Sequence, residues 1–219
     1  MNNTSTRRAK VAAILNILII LEAAVGTVLM LFFRDGDALL ASSGVENLKY
    51  FTVLSNEFCG LVAVWTLILA VRRKAPPMLL KLMAAAAVGL TFLIVAGFLG
   101  LLYGHRFMYK NANLFFHLIL PLTAMAEYVL LPVPKGGVPF KWTFCTMIPV
   151  FLYGSVYLTN NLVNGTGEWP DTNDFYGFLN WGLPVGIVIF AGIMLAVWGI
   201  ACALRAAQGR ISRKGCEES

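Results

Sequence analysis

The chain has 219 residues, of which 58% are hydrophobic and only 13% charged, and its mean hydropathy is +0.74. A soluble domain of this size carries about 25% charged residues, so the composition excludes a water-soluble globular fold and indicates a membrane protein. The formal charge of +6 does not point to nucleic acid. The cations sit at the ends of apolar runs, where membrane topology and anionic lipid headgroups account for them.

Six apolar runs of about 20 residues or more follow one another along the chain. They lie at about 10–33, 47–71, 78–103, 111–132, 139–161 and 178–205. At about 1.5 Å rise per residue each crosses a hydrocarbon core of about 30 Å. Their backbones must bond internally in lipid, so the runs predict helices. The expected fold class is all-α: a polytopic membrane protein, one compact bundle of six transmembrane helices. Residues 206–219 are expected to form a cytosolic tail. The first run follows "TRRAK" and is too long for a signal-peptide core, so it reads as a retained helix.

Lys and Arg set the expected direction. Thirteen lie on one side: Arg7, Arg8, Lys10, Arg72, Arg73, Lys74, Lys81, Lys135, Lys141, Arg205, Arg210, Arg213 and Lys214. Four lie on the other: Arg34, Lys49, Arg106 and Lys110. This asymmetry places both termini in the cytosol. The outer connections hold acids instead: Asp35, Asp37, Glu46, Glu168, Asp171 and Asp174. Short connections predict antiparallel neighbours, and no internal repeat suggests a two-half transporter. "PVPKGGVP" (132–139) reads as a rigid cytosolic turn, and Gly182/Gly186 as a GxxxG packing face. Asn164-Gly165-Thr166 is a glycosylation sequon only in a secretory membrane.

Cys59, Cys145, Cys202 and Cys216 make no CxxC, which disfavours a disulfide framework or a zinc site. The two histidines have no compact carboxylate set, so a catalytic metal is not expected, and no cofactor is called for.

Polar residues inside membrane helices are costly and mark function by default. Most sit toward the outer end: Thr52, Ser55, Asn56 and Glu57; Asn113 and His117; Asn160 and Asn161; Asn180. Asn16, Glu22 and Glu127 lie deeper and are expected to pair with other polar groups. The asymmetry predicts one polar cavity beneath the outer surface rather than a path through the membrane. Counted from helix starts near Asn47 and Asn111, Thr52 and His117 lie at similar depths, about 8 and 9 Å. Asn56 shares the face of Thr52, and Asn113 that of His117.

A threonine hydroxyl becomes a nucleophile when a neutral imidazole takes its proton. Asn56 or Asn113 would donate to a developing oxyanion or orient the ring. Each residue also has a plain structural use. A membrane threonine bonds its own i−4 carbonyl, and asparagine joins helices. A lone buried histidine is more often structural than catalytic, and His105, in "YGHRFMYKN", reads as solvated or interfacial.

"NLKYFTVLSN" and "NLFFHLILPL" resemble the two signature regions of the androgen-induced-gene family, membrane hydrolases of fatty acid esters of hydroxy fatty acids. The matching residues are Tyr50, Thr52 and Asn56, then Asn113, His117 and Pro121. A third, looser likeness lies in "GEWPDTNDFYGFLNWG", at Trp169, Pro170 and Phe178. The chain is more similar still to a bacterial branch of small six-helix proteins with the same "FT-x-x-SN" and "HxxxP" marks. The resemblance implies a Thr52 nucleophile, a His117 general base and a multi-pass protein of the bacterial cytoplasmic membrane. The leading expectation is therefore an intramembrane lipid esterase. Its partners are membrane lipids and a lipid-ester substrate, not nucleic acid, and it is a monomer or homodimer. Tyr50, Ser55, Tyr153, Tyr157, Asn160 and Asn180 are expected to line the cavity, with Glu168, Trp169, Asp171 and Asp174 at a polar mouth. The alternatives are a non-catalytic protein that binds or carries a lipid, and a proton-coupled transporter. The transporter would need Glu22, Glu127 and His117 linked across both leaflets.

Overall fold

A computed structural model describes residues 3–33, 44–132, 137–168 and 171–217, with side chains described from residue 8 to 212. Six helices are long and apolar enough to cross a membrane: Arg8–Phe32, Phe51–Val71, Met78–Tyr103, Ala112–Leu130, Trp142–Asn164 and Leu183–Ser212. They are α1 to α6. Helical structure runs on at the two ends, from Asn3 into α1 and through Glu217 from α6. Among the described residues there is no strand, as a backbone in hydrocarbon requires.

The helices turn up and down in sequence. One end of the bundle collects the starts of α2, α4 and α6; it is called here the site end. The opposite end is the far end. α3 is the most enclosed helix, because Ala84, Ala85, Ala86 and Ala87 present no bulk and let its neighbours approach closely. Leu82, Leu90, Tyr128, Val197 and Ala201 form a core between α3, α4 and α6. Ile19, Ala63, Val88 and Leu120 form another that joins α1 to α4. Ile14, Leu21, Leu61, Val156 and Val188 stay exposed on the outside, where a lipid-facing surface needs them.

Four boundaries differ from the sequence expectation, each for a local reason. α2 begins at Phe51 rather than near 47, because Gly44–Lys49 winds as a 3-10 helix and Tyr50 is extended (φ −83°, ψ 134°). α5 is interrupted at Thr146, where Pro149 has no N–H for the Cys145 carbonyl. α6 begins at Leu183, after a series of turns. It also continues beyond 205 into the expected tail, because that stretch still packs. Gln208 is buried and its Nε2 donates to the Tyr128 carbonyl (2.8 Å), while Arg205 Nε donates to that of Val138 (2.7 Å). The GxxxG expectation fails as well. Gly182 lies outside the helix with φ +86°, and a Cβ on Gly186 would meet Leu179 and the Phe178 carbonyl rather than another helix.

Near the far end a closed polar triad ties three helices together. Lys81, counted from sequence among the loop cations, is only 3% exposed. Its Nζ donates to Asn16 Oδ1 (2.5 Å) and forms an ion pair with Glu127 Oε2 at 3.0 Å. That pair lacks hydrogen-bond geometry, since Oε2 has no hydrogen-bond partner. Asn16 Nδ2 donates to Glu127 Oε1 (2.6 Å) and to the Ala12 carbonyl (2.8 Å). Removing one partner of a buried pair strands the other charge and costs about 3–5 kcal/mol, whereas replacing the whole set with apolar groups is often neutral. Lys81→Met should therefore lose about that much stability, and a triple Asn16→Leu, Lys81→Met, Glu127→Leu variant should recover most of it. Reversible unfolding in mixed micelles checks this; a triple variant no more stable than the single one contradicts it.

Candidate functional site

Below the site end lies a cavity of about 790 Å³, bordered by residues from all six helices. This is within the range of sites that enclose a small amphiphile. Apart from Thr91, midway along α3, and the tyrosines, its polar lining is gathered at the site end: Asn47, Thr52, Lys110, Asn111, Asn113 and His117. Lys110 is the only formally charged side chain, and there is no carboxylate, among the described lining residues. The other end is apolar, with Leu90 and Ile94 on α3, Val150 on α5, and Phe190 and Ile193 on α6. On the helix 5–6 wall Gly154 lies against Phe190, where a Cβ on Gly154 would lie 2.0 Å from the Phe190 ring.

Thr52 and His117 both border this cavity, but they reach it differently from the equal-depth count. Thr52 is the second residue of α2, whereas His117 is the sixth of α4. The Thr52 hydroxyl makes no hydrogen bond among the described residues. Other span threonines do: Thr27, Thr66 and Thr123 donate to Ala23, Val62 and Ile119, four residues back. The 3-10 turn and extended Tyr50 ahead of Thr52 remove the regular helical partner, leaving the hydroxyl on the wall. Thr52 Oγ1 and His117 share no direct hydrogen bond.

His117 is 8% exposed and lies in a π turn, Phe115–Ile119. Such wide turns occur often at functional sites. The spacing His117-x-x-x-Pro121 gives a local reason for it. Pro121 supplies no N–H to the carbonyls four and five residues before it, those of His117 and Phe116. Asn56 Nδ2 donates to the Phe116 carbonyl (3.0 Å) and to that of Thr52 (2.7 Å). One fully buried amide thus fixes the backbone beside His117 to the backbone of Thr52. His117 Nδ1 lies 3.3 Å from the Met108 carbonyl. That acceptor demands an N–H, so Nδ1 carries the proton and Nε2 keeps a free lone pair.

The remaining expectations divide. Tyr50, Tyr153, Tyr157 and Asn113 border the cavity. Asn56, Ser55, Asn160 and Asn180 do not. Asn56 has both donors committed to carbonyls, so it orients backbone instead of offering N–H to an oxyanion. Ser55 is buried, donates to the Thr52 carbonyl (3.0 Å) and meets Thr91 Oγ1 at 3.4 Å, joining α2 to α3. Asn160 Nδ2 donates to Asn173 Oδ1 (3.0 Å) and so tethers the α5–α6 connection. Asn180 is exposed and lies against Gly177. At the expected mouth Glu168 and Asp171 are exposed, but Asp174 is buried, accepting from Tyr157 Oη and from the Leu179 N–H (2.9 Å). Trp169 and Pro170 lie outside the described residues. Glu22 accepts from Thr123 (3.0 Å) and Glu57 from Thr27, so neither continues a chain to His117.

Two parts of the site were missed in the sequence. One is the apolar wall of α3. The other is the pair Phe175 and Tyr176, which with Phe178 packs on Tyr50 and Tyr157. Tyr176 Oη accepts the Phe51 N–H (2.9 Å), capping α2 one residue before Thr52. Burial pushes its phenol up to about 12, so it remains neutral at that helix end. "DFY" carried this signal only as aromatic density. Among the described residues no three His, Cys, Asp or Glu side chains gather in a way that would hold a metal ion.

No protein-family model, curated protein or solved structure matches the chain. Asn56→Leu should leave the fully buried Phe116 carbonyl without its donor and cost about 1–3 kcal/mol, while Asn160→Leu, at the half-buried tether, should cost less, about 1 kcal/mol or below. Chemical unfolding of both variants in one detergent tests the order; an equal loss would remove the clamp assigned to Asn56.

Proposed function

We propose that this chain hydrolyses fatty-acid esters within the bilayer, with Thr52 as nucleophile and His117 as general base. The observation that carries the reading is the shared cavity. An unbonded threonine hydroxyl and an imidazole with a free Nε2 border its polar end, and an apolar chamber extends beyond them. The likeness of "NLKYFTVLSN" and "NLFFHLILPL" to the androgen-induced-gene signatures supports the same pair.

Thr52 Oγ1 attacks the ester carbonyl carbon while His117 Nε2 takes its proton. The tetrahedral intermediate collapses, the C–O bond to the alcohol breaks, and the imidazolium returns its proton to the leaving oxygen. Water, deprotonated by the same Nε2, then attacks the acyl-threonine. The acid is released and Thr52 recovers its proton through His117. Asn113, one turn before His117 on the cavity wall, offers N–H donors to the oxyanion. The absent direct contact between Thr52 and His117 is compatible with this role, because catalytic hydrogen bonds often tighten only with substrate bound. The acyl chain lies along α3, α5 and α6, which lets a lipid enter from the side.

Thr52→Ala and His117→Ala should each lower hydrolysis of a long-chain ester by at least about 100-fold and abolish labelling by a fluorophosphonate probe. Labelling that survives in both variants removes the pair from the chemistry. A second reading, a non-catalytic lipid-binding module, draws on the missing Thr52–His117 hydrogen bond. It predicts retention of a bound fatty acid with no turnover by the wild-type chain, and unchanged retention in Thr52→Ala.

The positive-inside asymmetry further leads us to propose that the site end faces away from the cytosol in a bacterial cytoplasmic membrane. In a cysteine-free background, a membrane-impermeant maleimide added to intact cells should label Asp171→Cys and spare Lys74→Cys. The reverse pattern overturns the orientation.

A further inference from the structure

We infer that the hairpin between α3 and α4 positions the general base, and that His105 is the residue holding the hairpin in place. The inference rests on the role proposed for His117, but the geometry it uses stands apart from any turnover. The hairpin contains a short helix, His105–Met108, and runs from Gly104 (φ +91°) to Asn111 (φ +45°). Two residues with positive φ make its ends sharp reversals. Phe107, Met108, Lys110 and Asn111 border the cavity, so the hairpin forms part of its wall. Met108 is 6% exposed, although its neighbours His105 and Arg106 are exposed. Its carbonyl is the acceptor opposite His117 Nδ1. The group that selects the tautomer is therefore a main-chain oxygen outside the membrane helices.

That oxygen is only as well placed as the hairpin, and His105 is its anchor. The imidazole Nε2 lies 3.0 Å from the Ala96 carbonyl, inside the second π turn of the chain, Val95–Leu99 on α3. Gly100 makes room for it. A Cβ there would lie 2.6 Å from His105 Cδ2 and 2.8 Å from Nε2. The sequence of supports runs from the α3 π turn, through the His105 ring seated over Gly100, to the Met108 carbonyl and on to His117. Both histidines of the chain thus belong to one device: one is the base and the other keeps its acceptor in register. His105 is a positioning residue and touches no substrate.

With two histidines in the chain, ring ¹⁵N NMR of the full protein in micelles reads each one separately. In the wild type His117 should show a protonated Nδ1 and an unprotonated Nε2. His105→Ala should shift His117 toward a mixture of tautomers and lower kcat for a model ester about 10- to 100-fold, with KM changed less than about twofold. His105→Gln, whose amide can reach the Ala96 carbonyl, should restore both readouts. Gly100→Ala should reproduce the alanine effect with His105 still present. A His117 spectrum unchanged in both His105→Ala and Gly100→Ala overturns the inference. If alanine at 105 unfolds the chain, His105→Gln against His105→Asn decides it: the shorter amide should lose the His117 tautomer, and equal spectra overturn the inference. A tautomer change in His105→Ala, with a wild-type chain that shows no esterase activity, would reject the hydrolase reading alone. Esterase activity with no tautomer change would reject the hairpin's role alone.

Discussion

A missing N–H governs the arrangement of this site. Hydrocarbon provides no hydrogen bonds, so a backbone carbonyl that loses its helical donor must find another inside the bundle. Pro121 creates that need for the carbonyls of Phe116 and His117. In the π turn the Leu120 N–H goes to the Phe115 carbonyl, so at Phe116 the buried Asn56 amide meets that need. The amide comes from α2, and its other hydrogen bond ends on the Thr52 carbonyl. Satisfying one carbonyl on α4 thereby sets where α2 begins its descent, and with it the position of the threonine hydroxyl.

The two ends of the bundle use polarity in opposite ways. At Lys81, Asn16 and Glu127 the charges and the amide meet one another, and the cluster is closed. It fixes α1, α3 and α4 and leaves no group turned toward a ligand. At the site end the bonded groups form a second layer: Asn56, Ser55, Tyr176 and the Met108 carbonyl hold backbone or orient rings. The residues in front of them, Thr52, Asn113 and His117, border the cavity. This division separates scaffold from chemistry more clearly than burial does, since Asn56 is more buried than His117 and yet has its donors fully occupied.

Hydropathy made the six helices legible, because a span of about 20 apolar residues has few other uses. Periodicity made Thr52 and His117 legible as a pair, since each had a polar partner on its own helical face. Less was legible where the chain leaves regular geometry. Counting residues from a presumed helix start at 47 could not foresee the 3-10 turn, so the count of Thr52 from that start does not hold, although both residues border one cavity. Ser55, Asn160 and Asn180 were placed on the lining because they are polar and near the correct end. Composition does not reveal whether a polar side chain already has a partner. The α3 wall was invisible for the converse reason: Leu90, Ile94 and Val95 look like any other buried apolar residues.

The hairpin shows how far such information can travel through main-chain atoms. Any residue at position 108 supplies a carbonyl, so the tautomer of His117 is not encoded in the identity of Met108. It is encoded in what fixes the path of the hairpin: glycine at 104, tolerance of positive φ at 111, and a small residue at 100 beside the His105 ring. A motif search centred on Thr52 and His117 weighs none of these positions. Yet they fix the carbonyl that faces His117 Nδ1. The setting of His117 therefore extends beyond the helix that carries it, to a wide turn on α3.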